Sequence, residues 1–241
     1  MSGASDWEAE AQNWIRWARA PDHDSYWYYR DAFFDEIVPP SGRLTLDIGC
    51  GEGRVTRDLR DRGHRVVGID TSQTLLQHAR EADPTGMYAR GDAMSLPFDD
   101  RSFDVAVAYN TLMDVDGMPD AVAEAARVLE PGGSLCVSVT HPLADAGTFT
   151  GHQPDDPFVV VGSYLGRRRF EGTFERSGLT ITFRGWCYPL SDYARALEEA
   201  GFVIQRIREP AASEKAMAKF GESERRWRRI PLFLQMLARK G

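Results

Sequence analysis

Two observations predict an α/β fold, a doubly wound parallel sheet with helices on both faces. Between Leu44 and Thr140, short apolar runs alternate with segments of helical period. Right-handed β-α-β crossovers produce that alternation. The first run, Leu44 to Ile48, leads straight into a turn with glycine at alternate positions, Gly49, Gly51 and Gly53. A doubly wound sheet opens to its ligand at such a place, the carboxyl end of a strand near the reversal of strand order.

The elements follow in order. Residues from Asp6 to Val38 have a helical pattern rich in aromatics, and Trp7, Trp14 and Trp17 fall on one helical face. A second aromatic helix, SYWYYRDAFFDEIV, is broken by Pro39 to Gly42. After the first strand, Arg54 to Arg62 reads as a helix stopped by Gly63, and His64 to Ile69 as a strand. Thr71 to Ala82 is a helix with Thr71 or Ser72 as its cap. Met87 to Arg90 and Phe103 to Tyr109 are strands, Met118 to Leu129 is a helix closed by EPGG, and Ser134 to Thr140 is a buried strand.

The pattern changes after His141. Pro142 to Pro157 reads as a loop. Phe158 to Leu165, Arg168 to Glu175 and Leu179 to Trp186 read as antiparallel strands, with ERSGL as a hairpin turn. Ser191 to Ala200 is a helix, and Phe202 to Arg208 and Leu232 to Ala238 are strands. The charged segment between those two strands is expected to be an exposed helix.

The 241 residues suit one domain with decorations. The net charge of −7 argues against general attraction to nucleic acid. No apolar run approaches the roughly 20 residues of a membrane span. With an acidic N-terminus and no signal-peptide core, a cytoplasmic protein is expected. Three scattered cysteines and five unpaired histidines suggest neither disulfides nor a metal.

The glycine turn is built for contact, because glycine takes positive φ and lets a ligand approach the main chain. Asp70 follows Gly53 at about the spacing of an acid that binds a ribose diol. A dinucleotide fingerprint, G-x-G-x-x-G, would need a glycine where this chain has Arg54. Asp47, just before the turn, would repel phosphate but suits a ligand with an amino group. S-adenosylmethionine has an ammonium, a sulfonium, a ribose and no phosphate.

The motifs LDIGCGEGRVTRDL, VVGIDTSQTLLQHAR, GDAMSLPFDDRSFDVAVA, YNTLMDV and EAARVLEPGGSLCVSV occur in this order. Together they resemble the class I S-adenosylmethionine-dependent methyltransferases over about Leu44 to Thr140. Within that family the chain looks most like the group of ubiquinone/menaquinone-type and small-molecule methyltransferases. The resemblance implies a Rossmann-like, seven-stranded sheet with an antiparallel last strand, in one domain. That domain comprises a helical cap (1–40), a cofactor-binding core (44–140), a substrate-side β insertion after strand five (142–188) and the end of the core sheet (189–241).

By matched position, the resemblance implies that Asp47 holds the methionine amino group. Gly49, Cys50 and Gly51 would offer main chain beside it. Asp70 with Thr71 would take the ribose, Asp92 and Ala93 the adenine. Tyr109 and Asn110 would face the sulfonium end. His141, ending the fifth strand, is a candidate base or a capping residue. Asp114 is a second candidate base or a loop cap. The N-terminal aromatics either bury a helix pair on the sheet or roof the cofactor. The run GRRRFEG at Gly166 to Gly172 either receives an anion or is a solvated turn.

The expected acceptor is a small molecule, methylated on O, N or C by in-line transfer. No nucleic-acid or membrane partner is expected, and a homodimer is allowed. Two rival readings stay open, an NAD(P)-dependent Rossmann oxidoreductase and a non-catalytic protein that only binds the cofactor.

Overall fold

The computed structural model describes residues 3–212 and 222–241. The central sheet has seven strands: β1 (Thr45–Ile48), β2 (Val66–Asp70), β3 (Met87–Arg90), β4 (Phe103–Tyr109), β5 (Leu129–Thr140), β10 (Phe202–Arg208) and β11 (Phe233–Lys240). Their order is β10-β11-β5-β4-β1-β2-β3. All pairs are parallel except those of β11, which runs antiparallel to both β5 and β10. The chain therefore has the Rossmann-like, doubly wound sheet with an antiparallel last strand.

Strand β4 shows why this sequence buries both faces of the sheet. Val105, Val107 and Tyr109 join a core with α2 (Tyr26–Glu36) and α3 (Arg54–Asp61). Ala106 and Ala108 join the opposite core with α5 (Met118–Val128) and α7 (Leu190–Glu199). Side chains alternate across a strand, so an uninterrupted apolar run feeds two layers at once. The same alternation governs β1. Leu46 and Ile48 enter the α5/α7 core, and Asp47 goes to the α3 side.

Helix α1 (Gly3–Arg19) lies over α4 (Gln73–Ala82) and β9 (Leu179–Cys187). Its Glu8 accepts from the Ser72 hydroxyl at 2.5 Å and the Thr74 hydroxyl at 2.6 Å. Ser72 in turn caps α4 by accepting from Leu75 N. Trp7, Trp14 and Trp17 gather around Phe183 of β9, with ring centroids 6.1 to 6.4 Å away. Helix α2 instead buries Tyr26, Phe33 and Phe34 on the sheet. The two aromatic helices thus pack differently, α1 against the β9 strand and α2 on the central sheet.

The region after β5 departs from expectation. Pro142 to Pro157 contains a one-turn helix, α6 (Pro142–Asp145), and a strand, β6 (Gly147–Phe149). Strand β6 pairs antiparallel with β7 (Phe158–Val160), and Phe149 packs edge-on to Phe158. The hairpin of β8 (Arg168–Arg176) and β9 forms a separate two-stranded sheet, so the expected run of three paired strands splits in two. Pairing between residues 147–149 and 158–160 spans a polar loop and has no local signature. The hairpin turn itself matches its sequence. Ser177 and Gly178 both have positive φ, as a two-residue turn between antiparallel strands requires.

Strand β5 also begins earlier than expected, because Leu129 already pairs with Phe103; the pairing is then irregular, with Gly132 at φ +76°, until Ser134 meets Val105. The first half of the charged segment expected as an exposed helix, residues 213–221, lies outside the described residues. Glu222–Arg228 forms a 3-10 helix. No described helix is long and apolar enough to cross a membrane.

Candidate active site

A cavity of about 1190 Å³ lies at the carboxyl ends of β1, β2, β4 and β5, roofed by α1 and the β8–β9 hairpin. The glycine turn forms its floor, and its glycines do different jobs. A Cβ on Gly49 would lie 2.4 Å from Thr111 Cγ2, so that residue is bare to let the β1 and β4 loops touch. Thr111 seals the junction by donating to the Ile48 carbonyl at 2.8 Å. Gly51, at φ +55°, faces open space, and a Cβ there would meet only Trp14 Nε1, at 3.5 Å. Of these two glycines, it is Gly51 that presents bare main chain to a ligand.

Asp70 ends β2 beside that surface. One carboxylate oxygen accepts from Gly51 N and the other from Ser72 N, each at 2.8 Å. Each oxygen keeps acceptor capacity for a further donor. Burial raises the Asp70 pKa, and the amides of Ser72, Gly51 and Thr71 work against that rise. Cys50, Thr71, Asp92 and Ala93 also line the cavity, and Asp92 is fixed by accepting from Met94 N at 2.9 Å. Asn110 sits at the end of β4 with φ +54°, a left-handed conformation uncommon for a residue with a side chain. Its amide bonds to Ser138 O at 2.7 Å, and its side-chain oxygen accepts from the Ser138 hydroxyl.

Three expected residues sit differently. Asp47 is buried and absent from the cavity wall, with its carboxylate accepting from Thr56 Oγ1 of α3 at 2.6 Å. The strand alternation described above turns it away from the ligand. Burial lifts its pKa to about 7, against the Thr56 hydroxyl bond. Tyr109 touches the cavity but packs edge-on to Tyr26 and Phe33 at 5.3 and 4.9 Å, as a core ring. His141 is absent from the cavity wall. Its Nδ1 accepts from Leu143 N at 3.0 Å to cap α6, and its Nε2 lies 2.9 Å from Glu209 Oε1. Both ring nitrogens are engaged, and of the two roles expected for His141 the one seen here is capping.

Asp114 does face the cavity, on the loop after β4. Burial holds its carboxyl well above the usual range, despite a hydrogen bond from Trp7. Opposite it, on α6, stands Asp145, which burial lifts to about 7. Asp145 also raises Asp114 through its charge. The hairpin docks tightly at this point. Trp186 N donates to Met113 O at 2.8 Å, and a Cβ on Gly185 would lie 2.9 Å from Asp114 Oδ1. Arg169 of β8 bridges Asp6 of α1 at 3.0 Å and Asp116 at 3.2 Å.

Sequence reasoning missed Asp145, Arg54 and Phe183 as wall residues. The His-Pro pair at the head of α6 was the available signal for Asp145, since a capping residue before proline starts a helix. Phe183 carried no local signal.

Fold and cavity together define an α/β domain with a large site at the carboxyl ends of its parallel strands. Residues 46–137 match the "Methyltransferase domain" family model. Over 117 residues the chain is 38% identical to a ubiquinone/menaquinone biosynthesis C-methyltransferase of Paracoccus denitrificans, covering 45% of this chain and 47% of the relative. It is also 38% identical, over 108 residues, to a malonyl-[acyl-carrier protein] O-methyltransferase of Erwinia pyrifoliae, covering 45% of this chain and 41% of that one. The chain spans about half or less of the length of these curated relatives. The crystal structure of an S-adenosylmethionine-dependent methyltransferase from Mesorhizobium loti superposes with a TM-score of 0.68 at 25% identity, over 91% of this chain and 99% of that one. Residues 46–137 are thus similar to the class I S-adenosylmethionine-dependent methyltransferases, and the whole chain shares their fold.

Proposed function

We propose that the chain transfers a methyl group from S-adenosylmethionine to a bulky aromatic small molecule carrying an ionisable O–H or N–H. The carrying observation is the open side of Gly51 next to Asp70, a bare main-chain surface beside a carboxylate with acceptor capacity to spare. The residues fit the cofactor. Asp70 suits the two ribose hydroxyls, with Thr71 beside it, and Asp92 and Ala93 suit the adenine. Gly49, Cys50, Gly51 and Asn110 line the remaining length.

When bound, S-adenosylmethionine supplies a methyl group already activated by its sulfonium. The protein's tasks are then alignment and removal of the acceptor's proton. Asp145 suits the second task, because a base works best with a pKa near the operating pH. Asp114, whose pKa burial raises well above the usual carboxylate range, suits donating a hydrogen bond to the acceptor in its neutral form. The cavity exceeds the roughly 300–1,000 Å³ typical of one ligand site, which supports cofactor and acceptor side by side. Its aromatic wall includes Trp7, Phe170, Phe183 and Trp186, which suits an aromatic acceptor. Relatives named for quinone biosynthesis and for malonyl-[acyl-carrier protein] support an acceptor other than nucleic acid.

Calorimetry with S-adenosylhomocysteine and with NADH tests the cofactor. Methyl-labelled S-adenosylmethionine with a panel of phenols, catechols and arylamines, read by mass spectrometry, tests turnover. S-adenosylhomocysteine binding and label transfer to an aromatic acceptor are the expected results. Binding of NADH in its place would restore the oxidoreductase reading, and binding without label transfer would leave a non-catalytic binder.

A further inference from the structure

The cavity wall continues from Asp145 along β6 to Phe149 and then through Gly151 and His152 of the following loop. The 3-10 helix Glu222–Arg228 adds Arg226 and Trp227 to the same wall. The Phe149 ring packs edge-on to Phe158 and to Trp227, with ring centroids 5.2 Å away in each case. The Arg226 guanidinium lies 5.4 Å from the centre of the Phe149 ring. Arg229 fastens the helix to the loop by donating to Pro154 O at 3.0 Å and to Asp156 O at 2.8 Å. Rings and main chain from three segments therefore hold Arg226 in place.

One edge of this guanidinium is left over. Nη1 donates to Gly151 O at 2.7 Å and to His152 Nδ1 at 3.1 Å, which uses both of its protons. Nε is buried without a hydrogen-bond partner among the described residues. An arginine only donates, so His152 Nδ1 accepts and the imidazole carries its proton on Nε2, a further donor beside the first. The other arginines of the wall are differently placed. Arg54 is clamped between the Trp14 and Tyr26 rings, 4.7 and 4.3 Å from their centres, with Asp24 Oδ1 3.3 Å from its Nη1. Arg168 donates to Asp145 O, and Arg176 to His23 O at 2.9 Å. Burying a guanidinium donor without a partner is unfavourable unless an incoming group uses it.

We infer that the methyl acceptor is an aromatic carboxylic acid whose carboxylate docks on the Nε–Nη2 edge of Arg226. This inference rests on the acceptor reading above. The edge presents two parallel N–H groups, which match the two oxygens of a carboxylate and give charge-assisted hydrogen bonds. A phosphate would be drawn to the same edge, but its second charge would share the cavity with Asp145 and Glu175. One guanidinium balances one charge, so a carboxylate is the better match. Four residues of mostly extended chain separate Asp145 from Phe149, a reach of about 13 Å. An aryl ring with its O–H or N–H at one end and a carboxylate at the other suits such a gap. Anchored at Arg226, it would turn the end that takes the methyl group toward Asp145.

The test uses the full chain loaded with S-adenosylhomocysteine. The probes are a hydroxycinnamate, a hydroxynaphthoate and an aminobenzoate, each beside its primary amide and its phosphonate. Calorimetry gives the dissociation constants, and label transfer from S-adenosylmethionine follows for those that bind. At least one acid is expected to bind about 10- to 100-fold more tightly than its amide and more tightly than its phosphonate. Arg226→Gln is expected to bring that acid down to the affinity of its amide, and Arg226→Lys to recover part of the loss. Binding of no acid, or equal wild-type affinity for acid and amide, would overturn the inference and needs no variant to fold. Tighter binding of the phosphonates would overturn the choice of carboxylate. Equal losses for acid and amide in Arg226→Gln would also overturn it, by making Arg226 a strut of the loop. Each of these leaves the cofactor reading standing, because S-adenosylhomocysteine stays bound. A chain that takes NADH and not S-adenosylhomocysteine would overturn both together.

Discussion

The two ends of the cavity are built by opposite means. At the glycine-turn end the wall is mostly main chain and short acids, held by neighbouring strands of one parallel sheet. Gly51 and Asp70 are 19 residues apart and joined by a single hydrogen bond. At the other end the wall is side chain, contributed by α1, α6, the loop after β4 and the hairpin. Its fastenings join distant residues, as when Arg169 reaches Asp6 across 163 positions. A sheet edge fixes the ligand it takes through backbone geometry. A wall of imported side chains leaves its ligand to be set by composition, so the two ends can vary independently.

The sharpest break between the ends comes from Asp145→Asn. It is expected to lower kcat by about 100- to 1,000-fold with S-adenosylhomocysteine affinity unchanged, measured by single-turnover label transfer and calorimetry. A carboxylate accepts a proton only when ionised, and Asp145 sits at about 7. The wild-type rate should therefore rise between pH 6 and pH 8, and this rise should vanish in the variant. Gly51→Ala attacks the opposite end. It places a methyl in the ligand space at φ +55° and should weaken S-adenosylhomocysteine binding by about 100-fold, while the fold loses about 1–2 kcal/mol in urea denaturation.

Asp70→Ala comes next, with a loss of more than about tenfold in cofactor affinity by calorimetry. An unchanged dissociation constant in a folded variant would remove Asp70 from the site. Arg169→Gln has the mildest effect. Its two ion pairs are partly exposed, so the acceptor KM should rise by about threefold. Cofactor affinity should stay within twofold; a larger change would mean that the two ends are mechanically linked.

The same contrast governs how much could be read in advance. The alternation from Leu44 to Thr140, the Ser72 cap and the 177–178 turn are local patterns, and the structure follows them. The place of Asp70 followed from its spacing to the glycines. The side on which Asp47 lies is also legible, because Leu46 and Ile48 claim the other face and strand period then turns Asp47 toward α3. For His141 the proline after it, which signals a helix start, points to the capping role that a strand end alone does not show. Asp145 and the Arg54 clamp depend on contacts between segments far apart in the chain. No period or spacing encodes those contacts.

Ser72 carries a consequence for motion. Its amide holds the carboxylate assigned to the sugar, and its hydroxyl holds Glu8 of the roof helix. A ligand that steadies one should quieten the other. Amides of α1 are then expected to exchange with deuterium more slowly once S-adenosylhomocysteine is added, and Ser72→Ala should uncouple the two responses.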